Sequence, residues 1–201
     1  MSPEQIEALD WNKQGGLLPA IVQDAGNRRV LMLGYMNREA LGSTLSSRRV
    51  TFWSRSKQRL WTKGETSGHT LDVVRIEADC DGDALLVLAT PVGPTCHLDR
   101  PSCFKDAPGN FLADLDALVS SRHRNRPRGS YTTTLFEAGT RRIAQKVGEE
   151  GVEAALAAVT QDDAGLLGEA ADLVYHLMVL LRSRGLSLDD AVSVLRQRHP
   201  G

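Results

Sequence analysis

A chain of 201 residues has room for one large domain or two small ones, since domains commonly run about 100–150 residues. Hydrophobic residues make up 41% and charged residues 24%, so the chain can bury cores and is not a disordered tail. The balance of 24 Lys+Arg against 25 Asp+Glu gives −1, which offers no whole-protein field for holding nucleic acid or an acidic membrane. The longest strongly apolar run, 173–181, falls short of the roughly 20 residues a membrane span requires. Glu4, Glu7, Asp10 and Lys13 stand where a secretory signal would be basic and then apolar, so a cytoplasmic protein is expected.

In chain order, 20–23 and 30–35 flank the turn Asp24-Ala25-Gly26-Asn27, and 50–54 and 59–62 flank a polar turn. Residues 71–78 and 84–89 flank Asp79-Cys80-Asp81-Gly82-Asp83. Three hairpins in sequence predict an antiparallel, β-rich α+β domain, with one helix inserted over 37–46. From Phe111 the period becomes 3.6: a first helix ends before the linker-like stretch 122–129, and longer ones cover about 135–159 and 164–184, the latter closed by Gly185. Ser187-x-x-Asp190 resembles a capping box that opens the last helix. All three cysteines, all three tryptophans and six of the eight prolines lie at or before Pro108, so the halves are expected to be separate domains, the second an all-α bundle.

The 79–83 turn gathers three carboxylates and a thiol. Alternating carboxylates can surround a hard cation such as Mg²⁺ or Ca²⁺, or simply face water. An EF-hand is excluded, because Gly82 falls at loop position four and Thr90 at position twelve. Cys80, Cys96 and Cys103 lack the fourth ligand and paired spacing of structural zinc. They are either buried thiols or the three-ligand arrangement of a catalytic metal, with His97 as an acid/base group or a fourth ligand. A strand over 84–90 carries the chain roughly 20 Å from Cys80 before Cys96 arrives, so the thiols meet only through a folded-back loop or a second subunit. A site shared across a homodimer is expected.

Upstream, Arg55, Lys57, Arg59 and Lys63 surround Trp61, followed by Gly64, Glu65, Thr66 and Ser67. Such groups bind phosphate and stack on a base, or form the solvated face of a charged hairpin. In the helical half, Glu149, Glu150 and Glu153 share a helix face, and Glu169 and Asp172 share another, with His176 one turn further. Carboxylates on such apolar helices either face water or hold Mg²⁺ against a polyphosphate.

From about Trp11 to Asp106 the chain resembles phosphoribosyl-AMP cyclohydrolase, in Leu33-Gly34-Tyr35-Met36-Asn37, 60–67, 79–83, Gly93-Pro94-Thr95-Cys96-His97 and Ser102-Cys103-Phe104. From about Leu115 onward it resembles phosphoribosyl-ATP pyrophosphatase, in Lys146-Val147-Gly148-Glu149-Glu150 and Glu169-x-x-Asp172-Leu173-Val174-Tyr175-His176. The resemblance implies a bifunctional hydrolase of histidine biosynthesis, with the first activity over 1–113 and the second over 114–201. It implies zinc on Cys80, Cys96 and Cys103, magnesium on Asp79, Asp81 and Asp83, and a dimer that shares its metal sites. It implies a second magnesium site on Glu150, Glu153, Glu169 and Asp172, with Glu149 nearby. The substrates expected are phosphoribosyl-ATP, cleaved between the α and β phosphates, and phosphoribosyl-AMP, opened between N1 and C6 of the adenine ring. His97, Lys63 and Lys146 are the expected catalytic groups, and Arg55, Lys57, Trp61, Gly64, Glu65, Thr66 and Ser67 the expected substrate contacts. Three positions depart from the pattern: His69 replaces Asn, Leu98-Asp99 replaces Thr-Gly, and Gly151 replaces Ala. A metal-stabilised binding module is the rival class, distinguished by a fourth zinc ligand.

Overall fold

A computed structural model describes residues 1–13 and 15–199. The chain forms two compact units, one running to Phe111 and the other starting at Leu112. The first opens with a single capped turn, α1 (Pro3–Glu7), in which Ser2 Oγ accepts from the Gln5 amide and the Gln5 side chain accepts from the Ser2 amide. Then follow β1 (Leu18–Asp24), β2 (Val30–Met36), α2 (Arg38–Ser47), β3 (Thr51–Ser54), β4 (Arg59–Thr62), β5 (Leu71–Ala78) and β6 (Leu85–Pro91).

The three expected hairpins are present, but they do not continue into one antiparallel meander. The larger sheet has the order β2-β1-β6-β5, and its central pair is parallel, with Ala20 opposite Leu85 and Asp24 opposite Ala89. β3 and β4 form a separate two-stranded sheet. Burial explains the order: Leu18, Ala20, Val22, Leu85, Val87 and Ala89 are fully buried, whereas β5 carries Asp72, Arg75 and Glu77 and takes an edge. Gly34 lies against the Phe52 ring so closely that any Cβ there would overlap it. Three residues on, Asn37 Oδ1 accepts from the Ala40 amide at 2.8 Å and starts α2.

The second unit consists of α3 (Phe111–Asn125, whose first residue belongs to the first unit), α4 (Tyr131–Ala138), α5 (Thr140–Thr160), α6 (Asp163–Ser183) and α7 (Leu188–Arg198). Two boundaries differ from expectation. α3 continues through Arg122, His123 and Arg124, because cations suit a helix C-terminus and Arg124 and Asn125 bond back to Ser120 and Ser121. The single helix expected over 135–159 is broken at Gly139, whose φ of 85° no helix accommodates. The capping box at Ser187 is present, with Ser187 Oγ accepting from the Asp190 amide.

Val119, Leu135, Phe136, Ile143 and Val179 form this unit's core, with Tyr175 and Leu180 packed against it. Val152, Leu156, Val159 and Leu167 stay exposed. By length and composition α6 is able to cross a membrane, which the short run at 173–181 did not suggest. It lies instead along α5 and carries Glu169, Asp172 and His176.

Candidate active sites

Among the described residues of the first unit, the predicted site residues line two separate concavities. One, of about 460 Å³, is lined by Trp61, Lys63, Gly64, Glu65, Thr66 and Ser67 together with Cys96, His97 and Cys103. Most of the expected substrate contacts therefore converge with two of the three thiols. Met32, His69, Thr95 and Asp99 also line it, although no binding role was read from their chemistry. Arg55 and Lys57 lie outside it, at the β3–β4 turn, where the Arg55 guanidinium sits 4.0 Å from the Tyr35 ring centroid.

Backbone fit shapes the pocket. Gly64 has φ 86°, and a Cβ there would stand 2.5 Å from the His69 carbonyl. This close approach lets Lys63, 8% exposed, donate from Nζ to the His69 carbonyl at 3.0 Å. Burial pushes the Lys63 pKa down, while the neighbouring Cys103 and Cys96 act in the opposite direction. The His69 ring fills the place where a side chain on Gly93 would be, so the departure from Asn is accommodated by packing.

Cys96 and Cys103 belong to one loop. The Cys96 amide donates to the Arg100 carbonyl at 2.9 Å and the Asp99 amide to the Cys96 carbonyl at 3.1 Å. This turn needs φ 53° at Asp99, the position where the resemblance expects glycine, and Asp is one of the few side chains that tolerate it. Ser102 Oγ donates to the Val30 carbonyl at 2.7 Å and the Cys103 amide to the Leu31 carbonyl at 2.8 Å, so β2 fixes the second thiol. The Leu98 backbone N–H, aided by Arg100, holds the Cys96 thiol below its usual range, whereas burial pushes Cys103 up. His97 Nδ1 stands 4.0 Å from Cys96 Sγ, on an exposed side chain.

Cys80 is elsewhere. It lines a cavity of about 770 Å³ with Asp79, Asp81 and residues near the N-terminus. Among the described residues the three thiols do not come within reach of one ion. Asp79, Asp81 and Asp83 do, with one carboxylate oxygen from each lying within 4.8 Å of the others. Asp79 Oδ1 accepts from the Asp83 and Ala84 amides at 3.0 and 3.1 Å and holds the turn. Lys13 Nζ is seated 2.7 Å from Asp81 Oδ2 and 2.6 Å from Asp83 Oδ2. An ammonium among these carboxylates shows that the donor set suits a cation, and a set made only of oxygens suits a hard one.

In the second unit α5 and α6 bring Glu150, Glu169 and Asp172 together, again within 4.8 Å. Glu150 is 4% exposed. Lys146 Nζ lies 2.7 Å from Glu150 Oε1 and 3.0 Å from Glu149 Oε2, and holds Glu150 below the usual carboxylate range. Burial, then the charges of Glu150 and Glu169, push Glu153 up, as expected where like charges are gathered. Glu149 is outside the trio, engaged by Arg142 and Gln145 as well as Lys146. His176 is buried, with Nδ1 2.9 Å from the Asp172 carbonyl and 3.6 Å from Glu150 Oε1. The Asp172 carbonyl, which can only accept, places a ring proton on Nδ1, and Nε2 pairs with Tyr131 Oη at 3.0 Å. Nothing in the local pattern marks Tyr131, which arrives from α4 through tertiary packing.

Residues 32–105 match the family model for phosphoribosyl-AMP cyclohydrolase, and residues 112–199 that for phosphoribosyl-ATP pyrophosphohydrolase. The histidine biosynthesis bifunctional protein HisIE of Xanthomonas campestris pv. campestris is 68% identical over 196 residues, covering 98% of this chain and 95% of that one. HisIE of Xylella fastidiosa is 70% identical over 191 residues, 95% of this chain and 93% of the relative. HisIE of Escherichia coli is 56% identical over 201 residues, 99% of each chain. The chain belongs to this bifunctional HisIE family. It is an enzyme of histidine biosynthesis with a cyclohydrolase domain followed by a pyrophosphohydrolase domain. The pocket with Cys96 and Cys103 lies in the first domain, and the trio of Glu150, Glu169 and Asp172 in the second.

Proposed function

We propose that the pyrophosphohydrolase domain cleaves phosphoribosyl-ATP between the α and β phosphates, with magnesium held by Glu150, Glu153, Glu169 and Asp172. The cyclohydrolase domain then opens the adenine ring of phosphoribosyl-AMP between N1 and C6, with zinc held by Cys96, Cys103 and Cys80 of the partner subunit. The observation that carries this reading is donor chemistry: the second domain offers clustered carboxylate oxygens and the first offers paired thiols beside a nucleotide-sized pocket. Zinc, when bound, lowers the pKa of a coordinated water to near 7, and magnesium neutralises phosphate charge.

In the cyclohydrolase pocket Trp61 offers a face for the base, and Thr66 and Ser67 offer hydroxyls. The Lys63 ammonium, held by the His69 carbonyl, stands beside the thiols to carry or release a proton. His97, exposed at the same pocket, exchanges protons with water. In the second domain Lys146 keeps Glu150 ionised and meets the phosphates. Asp79, Asp81 and Asp83 form a further magnesium site on the loop that carries Cys80. A homodimer is supported by the separation of Cys80 from the other thiols and by the exposed apolar side chains of α5 and α6, and action in the cytoplasm by the likeness to bacterial histidine-biosynthesis enzymes.

Purified protein given phosphoribosyl-ATP is expected to release pyrophosphate and the ring-opened ribotide, with a chelator stopping both. Cys96→Ser should stop ring opening and leave pyrophosphate release intact. Glu150→Gln should stop pyrophosphate release, while added phosphoribosyl-AMP is still opened. Loss of both reactions in either folded variant overturns this division of labour.

A further inference from the structure

Lys13 holds a position at the aspartate site that no motif predicts. It comes from a segment outside residues 32–105, the part of the chain that matches the cyclohydrolase family. That segment is fastened to the aspartate turn independently of the lysine side chain, because the Asp10 amide donates to the Gly82 carbonyl at 2.9 Å; within the segment, Asp10 Oδ1 accepts from the Lys13 backbone amide at 3.2 Å. Trp11, buried, anchors it further by donating from Nε1 to the Ile6 carbonyl at 3.0 Å. The Lys13 side chain itself is 47% exposed. Its backbone is anchored by the segment, whereas its ammonium is held by its ion pairs with Asp81 and Asp83.

We propose that Lys13 is a built-in counter-ion of the aspartate site, which a divalent cation displaces on binding. The inference rests on reading Asp79, Asp81 and Asp83 as a metal site. An ammonium has three donors and no lone pair, so it cannot join a coordination shell. A magnesium ion at about 2.1 Å from the Asp81 and Asp83 oxygens would sit against the Lys13 charge and repel it. Metal and ammonium are therefore alternative occupants. Lys13 and Asp81 are about half exposed and Asp83 is more sheltered, so water screens much of the attraction and the lysine can yield, yet every binding event must first break both pairs. When the metal is absent, Lys13 spares the turn the repulsion of its own carboxylates.

The test uses the full-length ¹⁵N-labelled protein and magnesium alone, following the Gly82 and Asp10 amide signals, which report this site and not the acidic helices. Lys13→Met is expected to reach its midpoint at about three- to tenfold lower magnesium than the parent, the scale of two partly exposed ion pairs. Lys13→Arg, which keeps the charge, should titrate close to the parent. So should Arg141→Met, the same charge change at an exposed residue of the other unit. An unchanged or higher midpoint for Lys13→Met overturns the counter-ion role and leaves the metal reading standing. An equal effect from Arg141→Met reduces the result to overall charge and overturns it too. If the Gly82 signal moves in neither protein, the metal reading falls and the inference falls with it.

Discussion

Lys146 Nζ and Glu150 Oε1 stand 2.7 Å apart across one turn of α5, both side chains largely shielded from solvent. The lysine hydrogen bond is the main reason the Glu150 carboxyl is held below its usual range. Unfolded Glu150 titrates at the ordinary carboxylate value and folded Glu150 below it, so between the two values the unfolded state binds more protons. The pair's contribution to stability is full above the ordinary value and disappears as pH falls through the depressed one. Metal-free Lys146→Met is therefore expected to melt below the parent at neutral pH, with the gap closing below about pH 4. Thermal unfolding followed by helical circular dichroism across about pH 3–7 checks this. A gap that widens toward acid contradicts the ion pair.

Gly151 lies inside α5, beside Glu150, with an ordinary helical φ. A Cβ there meets only Leu173 Cδ1, at 3.9 Å, an ordinary van der Waals contact. Gly151→Ala removes unfolded-state freedom without a clash, and is expected to stabilise the helical domain by about 0.5–1 kcal/mol. Chemical denaturation read by circular dichroism measures it, and pyrophosphate release should be unchanged. A loss of stability would mean that the α5–α6 contact is tighter than the Leu173 distance implies.

Gly34 presents the opposite case, because a Cβ there overlaps the buried Phe52 ring. Gly34→Ala is expected to cost about 1–3 kcal/mol by overpacking, and Phe52→Leu in the same chain should restore part of it. Trp11, Trp53 and Trp61 all lie in the first domain, so tryptophan fluorescence during unfolding reports that domain alone. Additive losses in the double variant would show that the glycine is required for some reason other than the ring.

Local chemistry was readable where it acts over a few residues. Ser187 caps α7, as its spacing to Asp190 predicts, and the spacing of Glu150, Glu169 and Asp172 puts them on facing helix surfaces. The parallel seam between β1 and β6 was not readable, because alternating burial is the same whichever way the neighbouring strand runs. Nor was the break at Gly139, since Leu135, Phe136 and Ile143 keep apolar positions on both sides of it. Tyr131 and His176 are 45 residues apart, and Lys13 and Asp81 are 68 apart. Contacts of that range are set by packing, and no motif in either partner announces the other.

The placing of Cys80 in a different cavity from Cys96 and Cys103 makes the shared zinc site testable by mixing subunits. Take Cys80→Ser and Cys96→Ser proteins, each expected to be inactive in ring opening. In a mixed dimer, one site combines both lesions and is dead. The other takes an intact Cys80 from the Cys96→Ser chain and intact Cys96 and Cys103 from the Cys80→Ser chain. Random reassortment makes half the dimers mixed, each with one working site of two, so about a quarter of the parental ring-opening rate should return. If one chain supplied all three thiols, neither chain in a mixed dimer would hold a complete set, and nothing would return. Pyrophosphate release serves as the internal standard, because neither substitution touches α5 or α6. A mixture that stays inactive in ring opening after subunit exchange has been verified would place the zinc ligands within a single chain.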